Sequence, residues 1–401
     1  MAGNPFLEKL SSLAGSDAVG TLSFPELKTP VFVVSEKALV ENGKILKEVQ
    51  EKADCKILWA LKCFAMPRAC ECLKPYLSGT CASGLFEARM GNENFGGETH
   101  VYAPAFSDDD MRKIVGLADH ITFNSYSQLR HHKKAVENSG RNIKLGLRVN
   151  PGYSEVKTMI YNPCAPYSRF GVHAEEMEKQ GIKEISGLHF HTMCEQKSDV
   201  LERTLEVVGL KFGKFLKDLE WANLGGGQII TRFDYDRDHL IRLLKEFKTA
   251  HGLKTLYMEP GEAIALDSGV LVASVLDIIE NGMPIAIVDA SAANHMPDVL
   301  EMPYRPEILS AGLPGEKPYT YRLGAPTCLA GDYIGDYSFD HELKPGDRLI
   351  FMDMAIYSFV KTCMFNGIDL PSLAFHTIDG KTELVREFTY EDYASRLGAK
   401  L

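Results

Sequence analysis

Four kinds of residue in this chain stand where side chains do chemistry. Lys62, in WALKCF, ends an apolar run that reads as a strand. In a dry pocket at a strand end, a lysine loses proton affinity and forms an imine with a carbonyl; the ordinary alternative is a lysine snorkelling to solvent. His189 and His191, in GLHFHTMCEQ, are two residues apart, so on a strand both side chains face one side. They suit a metal site or, for one imidazole, a flat stack on an aromatic cofactor ring; a pair of satisfied core histidines is the plainer reading. No HExxH and no further ligand cluster of recognisable spacing accompanies them, so stacking ranks above metal ligation and no metal is expected. Gly225, Gly226 and Gly227 follow the run WANL. After a barrel strand, such a loop lets backbone N–H groups approach a phosphate; a flexible loop is the alternative. Glu259 ends TLYME and precedes Pro260 and Gly261. Aimed inward, that carboxylate would hold a proton on a heteroaromatic nitrogen, whereas most strand-end acids face solvent.

Taken in chain order, these residues offer an amine, a stacking ring, a phosphate loop and a ring-nitrogen acid. That is the set a protein must supply to pyridoxal 5'-phosphate (PLP). The elements between them fit a barrel. β-rich runs at 56–61, 100–103, 120–123, 143–149, 185–190, 219–224 and 255–259 alternate with amphipathic stretches at 38–52, 108–117, 126–138, 199–219 and 236–250. This alternation predicts a parallel (β/α)8 TIM-type barrel over 36–265. From 266 to 401, β-branched runs separated by Gly/Pro turns predict a mostly-β C-terminal domain, which segment 1–35, carrying TPVFVVS, is expected to join. The fold class is therefore α/β.

Composition narrows the rest. The chain has 401 residues, 45% hydrophobic and 24% charged, which excludes a disordered or collagen-like protein. A net charge of −10 with no Lys/Arg block argues against nucleic acid as a partner. ILWAL and GVLVASVL are too short to cross a membrane, and MAGNPFLEKL lacks the basic-then-apolar pattern of a secretory signal. Nine cysteines without a CxxC argue against a disulfide framework and for a reducing cytoplasm.

From WALKCF to MFNGIDLP the chain resembles the alanine-racemase-like fold of PLP enzymes, in the ornithine and diaminopimelate decarboxylase group. SAANHMPDVLEMPYRPEIL, GAPTCLAGD and KTCMFNGIDLPS are most similar to the carboxynorspermidine (carboxyspermidine) decarboxylases within it. The resemblance implies Lys62 as the imine lysine and His191 as the ring stacker. It puts Gly225, Gly226 and Gly227 on the phosphate, with the Tyr357 hydroxyl, and Glu259 on the pyridine nitrogen. Cys328 becomes the catalytic thiol, donating a proton to the substrate carbon. The implied reaction is decarboxylation of carboxynorspermidine or carboxyspermidine in polyamine biosynthesis. A diaminopimelate or other basic amino-acid decarboxylase is the near alternative, and a barrel metallohydrolase the distant one. The resemblance also implies a homodimer with shared sites, in which Arg169 of one subunit pairs with Asp332 of the other. Asp298 and Glu301, and less directly Asp332 and His295, are candidates for the substrate. Two departures stand out: the family's EPGR reads EPGEA here, with Glu262, and its aspartate before CAS is Thr80.

Overall fold

The computed structural model describes residues 24–400; MAGNPFLEKL and most of segment 1–35 lie outside the described residues. The chain forms two compact units, one made of the described residues up to Leu39 with Ala265 onward, the other of Val40–Ile264. Strand β1 (Val31–Ser35) belongs to the first unit and is buried at every position.

In the second unit β2 (Lys56–Ala60), β3 (Gly79–Ala82), β4 (Glu98–Tyr102), β5 (His120–Phe123), β6 (Lys144–Arg148), β7 (Gly187–His189), β8 (Trp221–Asn223) and β9 (Thr255–Met258) close into a barrel. Neighbouring strands run parallel, and β9 returns to β2. Helices on the outer layer are amphipathic. Ser198–Leu216, for instance, buries Leu201, Leu205, Val208 and Phe212 along one stripe. The barrel interior is packed, with Trp221 beside Leu58 and Tyr257. Trp221 lies so close across β6 and β7 that a Cβ at Gly146 or Gly187 would meet its ring at 2.4 or 2.0 Å. Only glycine fits there.

The first unit adds β10 (Gly269–Glu280), β11 (Pro284–Val288), β12 (Tyr319–Gly324), β13 (Tyr333–Phe339), β14 (Arg348–Phe351), β15 (Ser372–His376) and β16 (Thr382–Arg386). The sheet order is β13-β12-β11-β10-β1-β15-β16, with β14 on β10. A core around Phe32, Leu271, Val288, Leu323, Tyr337 and Phe351 packs one face. The barrel with a mostly-β unit is the expected α/β class. Strand β3 was not evident in the sequence, because GTCA is short, contains glycine and has no β-branched run. It is a strand because β2 and β4 offer ladder partners on both sides.

Candidate active site

The barrel residues Lys62, His189, His191, the Gly225–Gly227 loop and Glu259 lie at or just past the C-terminal ends of the strands. Lys62 stands two residues past β2, His189 ends β7 with His191 two further on, Gly225 follows β8, and Glu259 follows β9. That rim is where barrel enzymes build their sites. A cavity of about 320 Å³ there is lined by Lys62, His189, His191, Glu259, Arg148 and Tyr102, among others, a size within the range of small-molecule sites.

Glu259 is held from both sides. Its Oε1 accepts from Asn223 Nδ2 at 2.7 Å and its Oε2 from His189 Nε2 at 3.2 Å. Burial by itself would raise the carboxyl, but His189, followed by His100 and the Asn223 hydrogen bond, outweighs it and the group is held down at about 2. Burial keeps His189 below its usual range, so at neutral pH it is an uncharged Nε2–H donor. Its buried Nδ1, which has no hydrogen-bond partner, then carries a lone pair and no stranded N–H. The His189 ring stacks on Tyr102 at 5.3 Å and 28°. His191 Nδ1 accepts the Gly226 N–H at 3.1 Å, and burial with the Lys62 and Arg148 charges puts its pKa well below 6.5. It presents a neutral ring. The two histidines thus serve different partners.

The glycine loop packs between its neighbours. A Cβ at Gly225, Gly226 or Gly227 would meet the carbonyl oxygens of Phe190, Glu259 and Met193 at 2.5, 2.2 and 2.0 Å. The Gly225 N–H donates to Asn223 Oδ1 at 2.9 Å. Two of the loop's donors therefore orient Asn223 and His191, a task that the phosphate-nest reading did not include. Sequence reasoning also passed over Arg148. Its buried guanidinium lies between the Tyr102 and Phe170 rings, at 4.7 and 4.4 Å, and donates to the His191 carbonyl at 3.0 Å. A charge in the middle of the apolar run IKLGLRV was the available signal, since a buried arginine must have a task. Lys62, Arg148 and Arg169 against Glu259 leave the lining net positive. An amine, a neutral ring, an ionised carboxylate and surplus positive charge fit an anionic pyridine cofactor. At the two departures, Glu262 opens the short helix Glu262–Ala265, and Thr80 is buried with its Oγ1 unpartnered.

In the sheet unit Cys328 is exposed, and its N–H donates to Asn366 Oδ1 at 2.7 Å. Tyr357 is half-buried with a left-handed φ of 49°. Asp332 is buried and accepts from Ser291 Oγ at 2.6 Å, Thr327 Oγ1 at 2.5 Å and the Ala293 N–H at 3.0 Å. It ties the Cys328 loop to the segment after β11, and little of the carboxylate is left for another partner. Asp298 Oδ1 and Glu301 Oε2 share Lys361 Nζ, Asp298 at 2.6 Å.

His295 is fully buried and uses both ring nitrogens within the chain. Nδ1 accepts from Ser291 N–H at 3.2 Å, and Nε2 meets the Asp369 carbonyl at 3.0 Å. No ring nitrogen is left for a substrate. Burial pushes its pKa down to about 4. Between that value and the unfolded value of about 6.5, the unfolded chain binds a proton that the folded one refuses, so stability falls as pH falls. By pH 5 this histidine should have cost about 2 kcal/mol relative to neutral pH. Thermal melts from pH 7.5 to 5 should show a shallower decline in His295→Gln than in wild type; equal slopes would contradict the assignment.

The closed parallel barrel, with this charged rim and a separate β unit, defines a barrel-type PLP enzyme. The chain belongs to the pyridoxal-dependent decarboxylases: the family model described as "Pyridoxal-dependent decarboxylase, C-terminal sheet domain" matches residues 31–355. It is 44% identical to the carboxyaminopropylagmatine decarboxylase of Synechocystis sp., over 96% of this chain and 100% of that one. It is 42% identical to the carboxynorspermidine/carboxyspermidine decarboxylase of Campylobacter jejuni, over 93% and 99%. The crystal structure of the Campylobacter jejuni carboxynorspermidine decarboxylase with norspermidine superposes with a TM-score of 0.86 at 40% identity, covering 92% of this chain and 100% of that one. The protein is thus a PLP-dependent carboxy-lyase. Among the described residues no helix is long and apolar enough to cross a membrane.

Proposed function

We propose that the protein decarboxylates a carboxylated triamine, carboxynorspermidine or carboxyspermidine, in polyamine biosynthesis. The observation that carries this reading is full-length likeness to an enzyme of that name at 42% identity. When bound, PLP supplies an electron sink for the pair released as the carboxylate leaves as carbon dioxide. Lys62 would hold the cofactor through its aldehyde, and the Glu259 carboxylate, kept ionised by His189 and Asn223, would hold a proton on the ring nitrogen. The neutral face of His191 covers the ring. The Gly227 end of the loop would hold the phosphate, the family resemblance adds the Tyr357 hydroxyl, and Glu262 stands where the family has an arginine. Cys328 delivers a proton to the carbon that has lost carbon dioxide.

The barrel unit is the cofactor domain and the sheet unit the second domain. The enzyme works as a homodimer in which Cys328 comes from the second subunit, with Arg169 near the shared edge. Nine free cysteines support a reducing cytoplasm. A second reading, a substrate ending in a guanidinium group, is favoured by the 44% identity to the carboxyaminopropylagmatine enzyme. Either substrate carries a distal cation that must be paired once water is excluded. Asp298 and Glu301 both hold Lys361 and are the acids offered to that cation.

Side-by-side turnover of carboxynorspermidine, carboxyspermidine, carboxyaminopropylagmatine, diaminopimelate, ornithine and arginine tests the reading. Preference for diaminopimelate would overturn it. Asp298→Asn should raise KM for the preferred triamine about 10- to 100-fold, the size of a lost charge-assisted bond, with kcat little changed. Lys361→Met should lower KM or leave it unchanged. If Lys361→Met raises KM as Asp298→Asn does, Asp298 acts only by holding that lysine.

A further inference from the structure

A group made of none of the residues assigned to the reaction combines one carboxylate and two imidazoles on the barrel unit's helices. Ser107 Oγ accepts from the Asp110 N–H at 3.1 Å and caps the helix Asp108–Ile114, which makes Asp108 its first residue. His131 and His132 are consecutive in the helix Tyr126–Asn138. Asp108 Oδ1 lies 2.7 Å from His131 Nε2 and 3.7 Å from His132 Nδ1. One ligand atom from each of the three residues lies within 4.8 Å of the others. Donors bonded at about 2.0–2.1 Å to a tetrahedral ion stand about 3.3 Å apart, so small rotations of the exposed Asp108 and His131 side chains suffice.

The second observation is the state of His132. Its side chain is 2% exposed, and its ring is packed parallel to Phe123 at 6.1 Å and 12°. Nε2 faces the Phe106 carbonyl at 3.2 Å and must carry the proton of the neutral ring. Nδ1 then turns a lone pair on the Asp108 carboxylate at a distance too long for a hydrogen bond. Asp108 Oδ1 already accepts from the His131 Nε2–H at 2.7 Å, and a cation that took the place of that proton would meet the His132 lone pair as well. A histidine whose far nitrogen donates to a backbone carbonyl is also the usual arrangement behind a metal ligand. The two histidine rings are nearly perpendicular, 78° apart, so their lone pairs can meet at one point.

A second group, Glu98 with His100 and His120 inside the barrel, fails that test. Its rings lie parallel at 3.9 Å and 10°, which sends their lone pairs side by side. Lys56 and Tyr257 already hold Glu98.

We propose that Asp108, His131 and His132 bind one borderline divalent transition-metal ion, of which Zn²⁺ is the probe. Solvent completes the coordination at the exposed side. Two nitrogen donors of three argue against Mg²⁺ and Ca²⁺, which take oxygen ligands. The test is equilibrium dialysis of tag-free holoenzyme against Zn²⁺, followed by metal analysis, with the Co²⁺ spectrum as a second readout. Wild type should hold one Zn²⁺ per chain at this site. His131→Ala and Asp108→Asn, both at exposed positions, should weaken it about 100-fold. Turnover and cofactor absorbance should be unchanged. Equal Zn²⁺ retention by wild type and both variants, no stoichiometric Zn²⁺ in wild type, or a Co²⁺ spectrum showing thiolate ligation would each overturn the proposal.

Discussion

Lys62→Ala should lose at least about 10³-fold in kcat, the order seen when a covalent nucleophile is removed, while the chain stays folded. Wild type should be yellow, and borohydride reduction should fix the cofactor to one peptide, that of Lys62. The lysines most able to mimic it are held elsewhere: Lys56 pairs with Glu98, and Lys361 with Asp298 and Glu301. Among the described residues no salt bridge holds Lys62, and it lines the cavity with Glu259 and His191. A label on Lys56 or Lys361 would sink the assignment, and so would a coloured Lys62→Ala protein.

The second large effect is a recovery. Lys62→Ala and Cys328→Ala should each be nearly inactive alone. Mixed and allowed to exchange subunits, they should regain about a quarter of wild-type activity. Random pairing makes half the dimers hybrid, and each hybrid has one site with both residues intact. Cys328 lies exposed on a loop that Asp332 anchors and Asn366 holds by the backbone, as a residue offered to another surface would be. No recovery, with exchange proven by mass labelling, would mean that each chain carries a complete site.

The strand-end residues were legible in the sequence for a local reason. Lys62 and Glu259 each follow an apolar run, and the strand period with the parallel barrel sends such positions to one rim. The same pattern made the α/β class legible, although β3 was hidden in GTCA until its neighbours supplied a ladder. What each rim residue touches was not legible. Asn223, His189 and Glu259 lie on adjacent strands only because the barrel closes, although 36 and 70 residues separate Glu259 from its two partners. Arg148 gained its task from Tyr102 and Phe170, which no spacing rule links to it. His295 read as a substrate candidate from its place in SAANHMP, yet packing turned it inward and used both nitrogens. Asp298 and Glu301 read as open acids because Lys361, 63 and 60 residues away, becomes their neighbour only in the fold. The sequence by itself determined which chemical groups stand at the strand ends, because hydrophobic period and chain direction are local. Tertiary structure decided their charge states and partners, because burial and cross-strand contact depend on residues far apart in the chain.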